Sequence, residues 1–479
     1  MTLKKQALGG VKWTTASMLI VTGVQFAQMA ILARFLDPSD FGLMAVMMVV
    51  IGFSQAFQDM GISNAIIQRK DISHTQLSSL YWLNIASGVV LGLIVLSISP
   101  LVAHFYDEPM ITGLMAMSSC VFILVAIGNQ YRVLCQKAMD FRTMEAINMA
   151  AAIASLIVAI ALALQGYGVM TLVIAMLTQA GVASLFFLWV GLRRYHKPSL
   201  VYCHSELRGF YGFGLYQMGE RSINYISANA DKLLIGKLVG MNATGFYNLA
   251  WQLIIFPLSK INPIVNKVAF PVYSKVQDDP VALNRYYTFN FKALSLVTMP
   301  LLAFLVFFSH EVVQIVYGKG WDATAELLPV FALIGILKAL GNPGGAIILA
   351  LGRADVGFWW NFTWGIFIVI GLSIGLMIVP SAHTAVYILL GLSLTIGMIW
   401  HVLVARIAGI KYLPIVRQFA TLFLVVMTIG WLGLILTNVS GLKSPILRVA
   451  VAGLVCLFIY VIYLRLFEKS FFQNLKRNS

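Results

Sequence analysis

The chain has 479 residues, of which 60% are hydrophobic and only 11% charged. A globular protein is nearer a quarter charged, so an ordinary soluble fold is excluded. The net charge of +15 does not by itself indicate a nucleic-acid partner, because in a membrane protein the position of the basic residues relative to the apolar runs carries the information.

A hydrocarbon core about 30 Å thick takes roughly 20 apolar residues per helix. On that ruler fourteen spans are predicted: 10–35, 41–63, 77–104, 111–131, 147–165, 169–191, 209–236, 245–270, 290–309, 325–351, 357–379, 384–405, 413–436 and 444–466. Barrel strands would be half as long and alternating, so the chain reads as an all-α polytopic membrane protein. The first span is too long for a signal-peptide core and ends in Arg34-Phe35-Leu36-Asp37-Pro38 without a small-residue cleavage pattern. It is expected to remain in the mature protein.

With the N-terminus in the cytoplasm, Lys4, Lys5, Arg69, Lys70, Arg132, Lys137, Arg142, Arg193 and Arg194 fall on that face, as does the Lys476-Arg477 tail. Far fewer basic residues, among them Arg34, Lys237, Lys319, Lys443 and Arg448, fall on the other. The basic excess is therefore a topology signal that places both termini inside, with attraction to membrane lipids second to it. Cys120, Cys135, Cys203 and Cys456 lack CxxC spacing, and the histidines are scattered. No disulfide framework, metal site or other cofactor is indicated.

Sliding the chain by 203 residues sets Lys5 on Arg208, Gly9 on Gly212, Arg34 on Lys237 and Gly42 on Gly245. Six spans separate the copies, so both run in the same sense through the bilayer. The expected organisation is a six-helix N-lobe (1–200), a pseudo-symmetric six-helix C-lobe (201–410) around a central cavity, and two added helices (411–479). Those last two spans are read as free of embedded charge and peripheral. The breaks at 132–146, 192–208 and 271–289 suit short interfacial helices.

Span 7 is the least apolar. Gln217, Glu220, Arg221, Asn224, Ser227 and Asp231 recur every three or four residues, which is one helix face. Arg221 lies roughly 18 Å from the cytoplasmic end at 1.5 Å per residue, near the midplane. Ionisable residues at that depth face a bundle interior or a hydrated cavity, although Glu220 and Arg221 can also simply neutralise one another. Span 8 adds Asn248, Gln252, Lys260, Asn262 and Asn266; span 1 adds Gln25 and Gln28; span 2 adds Gln55, Gln58 and Asp59. Stripes of this kind also serve as interhelical glue, but their recurrence over four related helices favours a cavity. Lys338 sits mid-span before Asn342-Pro343-Gly344-Gly345, and Pro257, Pro263 and Pro271 punctuate span 8, so broken helices are expected there. Arg221, Lys260 and Lys338 against Glu220 give a cavity with excess positive charge, suited to an anion. No catalytic arrangement is found, so an enzyme is the less favoured class.

The stretch Ala33-Arg34-Phe35-Leu36-Asp37-Pro38-Ser39-Asp40-Phe41-Gly42, leading into a second apolar span, resembles the first loop of bacterial polysaccharide flippases of the multidrug/oligosaccharidyl-lipid/polysaccharide exporter superfamily. The colanic acid exporter type is the most similar. The resemblance implies alternating-access transfer of an undecaprenyl-diphosphate-linked, anionic oligosaccharide repeat unit across the bacterial inner membrane for exopolysaccharide synthesis. The implied partners are this lipid-linked cargo, a coupling proton or sodium, and a polysaccharide polymerase, with no nucleic acid. Asp59, Glu220 and Asp231 are the ion-coupling candidates; Arg34 and Lys237 mark matching rim positions. The rivals are a drug/cation antiporter of the same superfamily, whose cavity should be net negative, and a membrane glycosyltransferase or polymerase.

Overall fold

A computed structural model describes residues 3–58, 62–69, 71–203, 208–469, 471 and 473; the side chains of 3–12, 62, 64–65, 208–221, 223 and 263–268 lie outside the described set. Among these residues every regular element is a helix. Residue contacts divide the chain into two compact units, Met1–Gly245 and Phe246–Ser479.

The first unit contains α1 (Leu3–Leu32), α2 (Pro38–Gln58), α3 (Ile62–Gln68), α4 (His74–Tyr106), α5 (Met110–Ser118), α6 (Cys120–Lys137), α7 (Phe141–Leu164), α8 (Met170–Arg194) and α9 (Arg208–Leu238), together with the first residues of α10 (Met241–Lys275). Local chemistry sets the boundaries. Pro38 opens α2 in the first helical turn, where a missing N–H costs nothing. Ser73 and Gln76 form a reciprocal capping box at the start of α4, and Asp107 ends it in the left-handed conformation. Asp140 accepts from the Thr143 amide to start α7.

α8 packs along both α6 and α7, with α1 on the far side of α7 and α4 against α6. Close approach is achieved at glycines. A Cβ on Gly128 would lie 2.6 Å from the Ser184 backbone, and one on Gly88 would lie 2.7 Å from the Phe122 carbonyl. Asn84 donates to the Ala126 carbonyl at 2.8 Å and Gln130 to that of Leu77 at 2.9 Å, so buried amides serve as interhelical links.

One contact repeats in the register of the expected duplication. A Cβ on Gly42 would lie 1.9 Å from the Met241 carbonyl oxygen, and a Cβ on Gly245 would lie 1.8 Å from that of Pro38. Pro38 and Met241 are 203 residues apart, and so are Gly42 and Gly245. Each glycine therefore meets the backbone at the other copy's helix start, as a duplicated element predicts.

The second unit holds the rest of α10, then α11 (Pro280–Phe307), α12 (Ser309–Val316), α13 (Asp322–Ala350), α14 (Ala354–Ile378), α15 (Ala382–Ala408), α16 (Tyr412–Val439) and α17 (Pro445–Phe467). α13 is the most buried, packing on α11 and α15. Tyr317, at the end of α12, donates to the Leu249 carbonyl at 3.1 Å, and Tyr247, edge-on, and Trp251, tilted, pack against Phe331 and fasten α10 to α13.

Twelve helical segments among the described residues are long and apolar enough to cross a membrane, with α5 and α6 counting as one. The other two expected spans are α9 and α10, 31 and 35 residues long. This is a multi-pass membrane protein. Several local expectations are corrected. The second predicted span ran to residue 63; α2 is described as far as Gln58, and residues 59–61 lie outside the described set. The fourth is two helices that meet at Ser119. The breaks at 132–146 and 271–289 hold no separate interfacial helices, because α6 and α7, and α10 and α11, extend to short turns capped by Asp140 and Asp279.

The prolines do not break their helices. α13 runs unbroken through Pro329 and Pro343, and α10 is continuous over its prolines. In α13 the Trp400 indole of α15 donates to the Gly341 carbonyl at 3.1 Å and occupies the space that a Cβ on Gly344 would need, 2.8 Å away. A neighbouring helix thus supplies a donor beside the proline. α17 carries an ion pair at each end. Arg448 pairs with Glu311 of α12 at 2.8 Å, and Lys292 of α11 pairs with Glu468 at the end of α17.

Candidate functional site

Four of the residues expected to line a cavity, or to couple an ion, are Asp59, Gln217, Glu220 and Arg221; as residues or as side chains they lie outside the described set. The remaining residues are treated within their own unit.

In the first unit Gln28 is half-buried on α1, with its Oε1 3.4 Å from the Ser155 hydroxyl of α7, a helix–helix contact. Arg34 is exposed in the turn between α1 and α2. Asn224 and Asp231 are half-buried on α9, and Asp231 accepts from the Lys232 amide at 2.9 Å. Tyr225 donates to the Met48 carbonyl at 2.9 Å, fixing this face of α9 against α2. Lys237 donates to Asp107 at 2.8 Å and lies over the Phe105 ring. The ammonium beside it holds the Asp107 carboxyl below its ordinary range. Sequence reasoning passed over Lys232, a half-buried cation whose Nζ donates to Asn229 at 3.2 Å. Its adjacency to Asp231 was the available signal.

In the second unit Asn248 is buried, while Gln252 and Lys260 are half-buried on the same helix. The Asn262 Oδ1 is buried without a hydrogen-bond partner among the described residues. Lys338 of α13 stands 4.6 Å from the centre of the Trp251 ring on α10, next in sequence to Gln252. Lys338 is exposed, and this cation–π contact sets its ammonium against a neutral aromatic face.

The first unit also contains an open cavity of about 500 Å³ between α2, α6, α7 and α8, with Arg132 exposed, within the usual range of small-molecule sites, about 300–1,000 Å³. Helical spacing builds its walls. Gln55 and Gln58 are one turn apart on α2, and Asn129 and Arg132 one turn apart on α6, with Asn148 from α7 and Gln179 from α8. Gln58 was read as a polar stripe residue, and its amide spends itself on the Phe122 carbonyl at 2.6 Å. Asn129, Asn148 and Gln179 were missed. Arg132 was counted only as a topology charge, although its one-turn spacing from Asn129 was visible. In the second unit, α11, α16 and α17 enclose an apolar groove of about 440 Å³ lined by Leu296, Leu301, Phe304, Val426, Ile429 and Leu457.

At the same end of the first unit as Lys137 and Arg194, the segment after α8 is tied down by buried polar groups. The Ser199 and Cys203 amides donate to the Ser78 and Ser79 hydroxyls at 3.1 and 3.0 Å, and Trp82 donates to the Ser199 carbonyl at 2.9 Å. His196 is buried edge-on to His74, with ring centres 4.4 Å apart. Burial, and secondarily the charge of His74, push its imidazole below the ordinary value. Protons therefore bind the unfolded segment before the folded one, so the stability of this clasp is full above about pH 6.5 and falls as pH drops through that range. Hydrogen exchange at the Ser199 and Cys203 amides, corrected for intrinsic rates, should accelerate between pH 7.5 and 5.5, and His196→Gln should abolish the dependence. Equal protection at both pH values in the unsubstituted protein would refute it.

Residues 31–326 match the family described as "Polysaccharide biosynthesis protein". The chain is 35% identical to the teichuronic acid biosynthesis protein TuaB of Bacillus subtilis (strain 168) over 373 residues, covering 78% of this chain and 76% of that one. It is 31% identical over 361 residues to the lipopolysaccharide biosynthesis protein WzxC of Escherichia coli (strain K12), covering 75% and 73%. Among solved structures, the lipid II flippase MurJ in an inward closed conformation superposes with a TM-score of 0.73 at 14% identity, over 96% of this chain and 99% of that one. The last comparison establishes the fold, and the first three the family.

Proposed function

Because the chain belongs to the polysaccharide biosynthesis protein family, we propose that it is a flippase that carries an undecaprenyl-diphosphate-linked oligosaccharide across a bacterial inner membrane by alternating access, ahead of polymer assembly. The observation that carries this reading is cationic charge on the long apolar helices of a multi-pass protein: Lys338, exposed, over Trp251, and the half-buried Lys232 on Asn229 and Lys260 on α10. A diphosphate headgroup cannot enter hydrocarbon unaided, and ammonium groups on those helices offset the cost of desolvating it. The apolar groove of α11, α16 and α17 has the chemistry to accept a prenyl chain.

In this reading both termini face the cytoplasm, the lobes 1–200 and 201–410 alternate in access, and 411–479 is an appended pair. Asp59, Glu220 or Asp231 takes the coupling proton or sodium, and a polymerase receives the product. The drug/cation antiporter reading is disfavoured by the sign of that charge.

Lys338→Ala, Lys260→Ala and Arg221→Ala should each cut export of the cell-surface polymer by roughly tenfold or more, the scale of one lost charge-assisted contact. Membrane abundance of the protein should stay near normal. Polymer export at the unsubstituted rate in all three variants would remove the cationic path from the mechanism. Normal folding and export in a Glu220→Ala/Arg221→Ala double variant, with Arg221→Ala alone failing to fold, would make that pair structural.

A further inference from the structure

The geometry points to a second recognition site: the cavity between α2, α6, α7 and α8 of the first unit binds a carboxylated sugar of the cargo, with Arg132 on the carboxylate and the amides around it on the ring hydroxyls. This inference rests on the flippase reading and deepens it by naming the chemistry of the cargo's glycan.

Arg132 carries the argument. Among the described residues its guanidinium meets no carboxylate, and its one hydrogen bond runs to the Asn129 Oδ1 at 3.3 Å. That bond holds the side chain beside the cavity and leaves most of its five donors free, in the planar fork that matches a carboxylate. Glu145, the nearest acid in sequence on α7, is buried and occupied by Asn148, whose Nδ2 donates to it at 3.3 Å. Asn148, which also lines the cavity, keeps a carbonyl oxygen as acceptor for a hydroxyl.

The other walls are primary amides. Gln55 and Gln179 form no hydrogen bond among the described residues, Asn129 retains its amide hydrogens, and Gln58 retains its Oε1 after donating to Phe122. A primary amide both donates and accepts, and so does a sugar hydroxyl; a phosphate oxygen only accepts. One cation among several amides therefore suits a polyhydroxylated ring bearing a single negative charge. A lipid diphosphate bears at least two charges, and a single guanidinium would leave it under-compensated. Apolar walls from Met48, Val125, Met176 and Phe187 complete the pocket against the ring's C–H faces.

The site is tested on the full-length protein in lipid nanodiscs with three probes: methyl glucuronide, methyl glucoside and farnesyl diphosphate. Saturation-transfer NMR reads the two sugars, and competition against the bound uronide reads the diphosphate. The expected result is uronide binding well above glucoside binding. Arg132→Gln should weaken it by roughly tenfold, with Arg132→Lys intermediate and Gln179→Leu weakening both sugars. Thermal unfolding midpoints of the variants should match the parent, which separates lost recognition from lost folding.

Binding of farnesyl diphosphate that depends on Arg132, with no uronide binding, would assign the cavity to the lipid anchor and overturn the proposal. Sugar binding indifferent to Arg132 and Gln179 would overturn it as well. The flippase reading fails separately: deletion of the chain that leaves polymer export intact refutes that reading whatever the probes do. Arg132→Gln that abolishes uronide binding but exports a carboxylated polymer normally refutes only the subsite.

Discussion

Placing a leucine at Gly42 should cost the protein its stable fold. The reason is that the nearest neighbour to any side chain there is backbone, with the Met241 carbonyl oxygen 1.9 Å from the ideal Cβ position and its carbon at 2.7 Å. No rotamer change relieves a clash with a main-chain carbonyl, so the two helix starts must separate. Over-packing inside a tight helix contact usually costs about 1–3 kcal/mol, and a collision with backbone belongs at or above the top of that range. Gly42→Ala should already lower the unfolding midpoint in detergent, Gly42→Leu should remove most folded protein from the membrane, and Gly245→Leu should do the same from the other side of the contact. Gly113→Ala is the control, because nothing lies within 4 Å of its Cβ position. A Gly42→Ala variant with the parent's midpoint would show that the contact has slack and would sink the prediction.

Glu311→Gln should be nearly as damaging. The Glu311 side chain is only 12% exposed and its partner Arg448 24%, and the pair closes at 2.8 Å with Asn438 as a further acceptor for the guanidinium. Removing one member of a largely buried pair leaves the other charge uncompensated, which costs about 3–5 kcal/mol. Exchanging the pair for well-packed apolar residues is often neutral. The double variant Glu311→Leu/Arg448→Met should therefore recover much of the unfolding midpoint that Glu311→Gln loses. If the single and double variants unfold together, the pair contributes nothing specific, and the loss comes from packing around α12.

Most of the helical plan was legible because the bilayer imposes one length scale on every span, and apolar composition reports it directly. The paired spacing of Arg34 with Lys237 and Gly42 with Gly245 was also visible, as one offset of 203 residues in the sequence. What stayed hidden depends on neighbours. Pro343 reads as a break, yet the Trp400 indole, 59 residues from Gly341 in the chain, supplies the Gly341 carbonyl with the donor that accompanies continuity. Lys338 reads as an isolated charge, because nothing in its own span announces the Trp251 ring on another helix. Arg132 was absorbed into a topology count: the rule that sorts basic residues by side of the membrane is silent about which of them line a cavity. The cavity itself is assembled from four helices, its lining running from Met48 to Phe187, with one or two polar positions on each. No single stripe was dense enough to stand out.

The two ion pairs of α17 also bear on how the chain is made. Lys292 and Glu311 are synthesised with α11 and α12, long before the ribosome reaches Arg448 and Glu468. During that interval the growing protein holds a cation and an anion whose partners do not yet exist, and each makes the half-built unit an unfavourable guest in lipid. Arrival of α17 discharges both debts together, one near each end of the helix. A chain stalled or truncated before residue 445 would therefore be chemically marked as incomplete by two naked charges, the kind of flaw that membrane proteases and insertion chaperones can read without recognising any sequence.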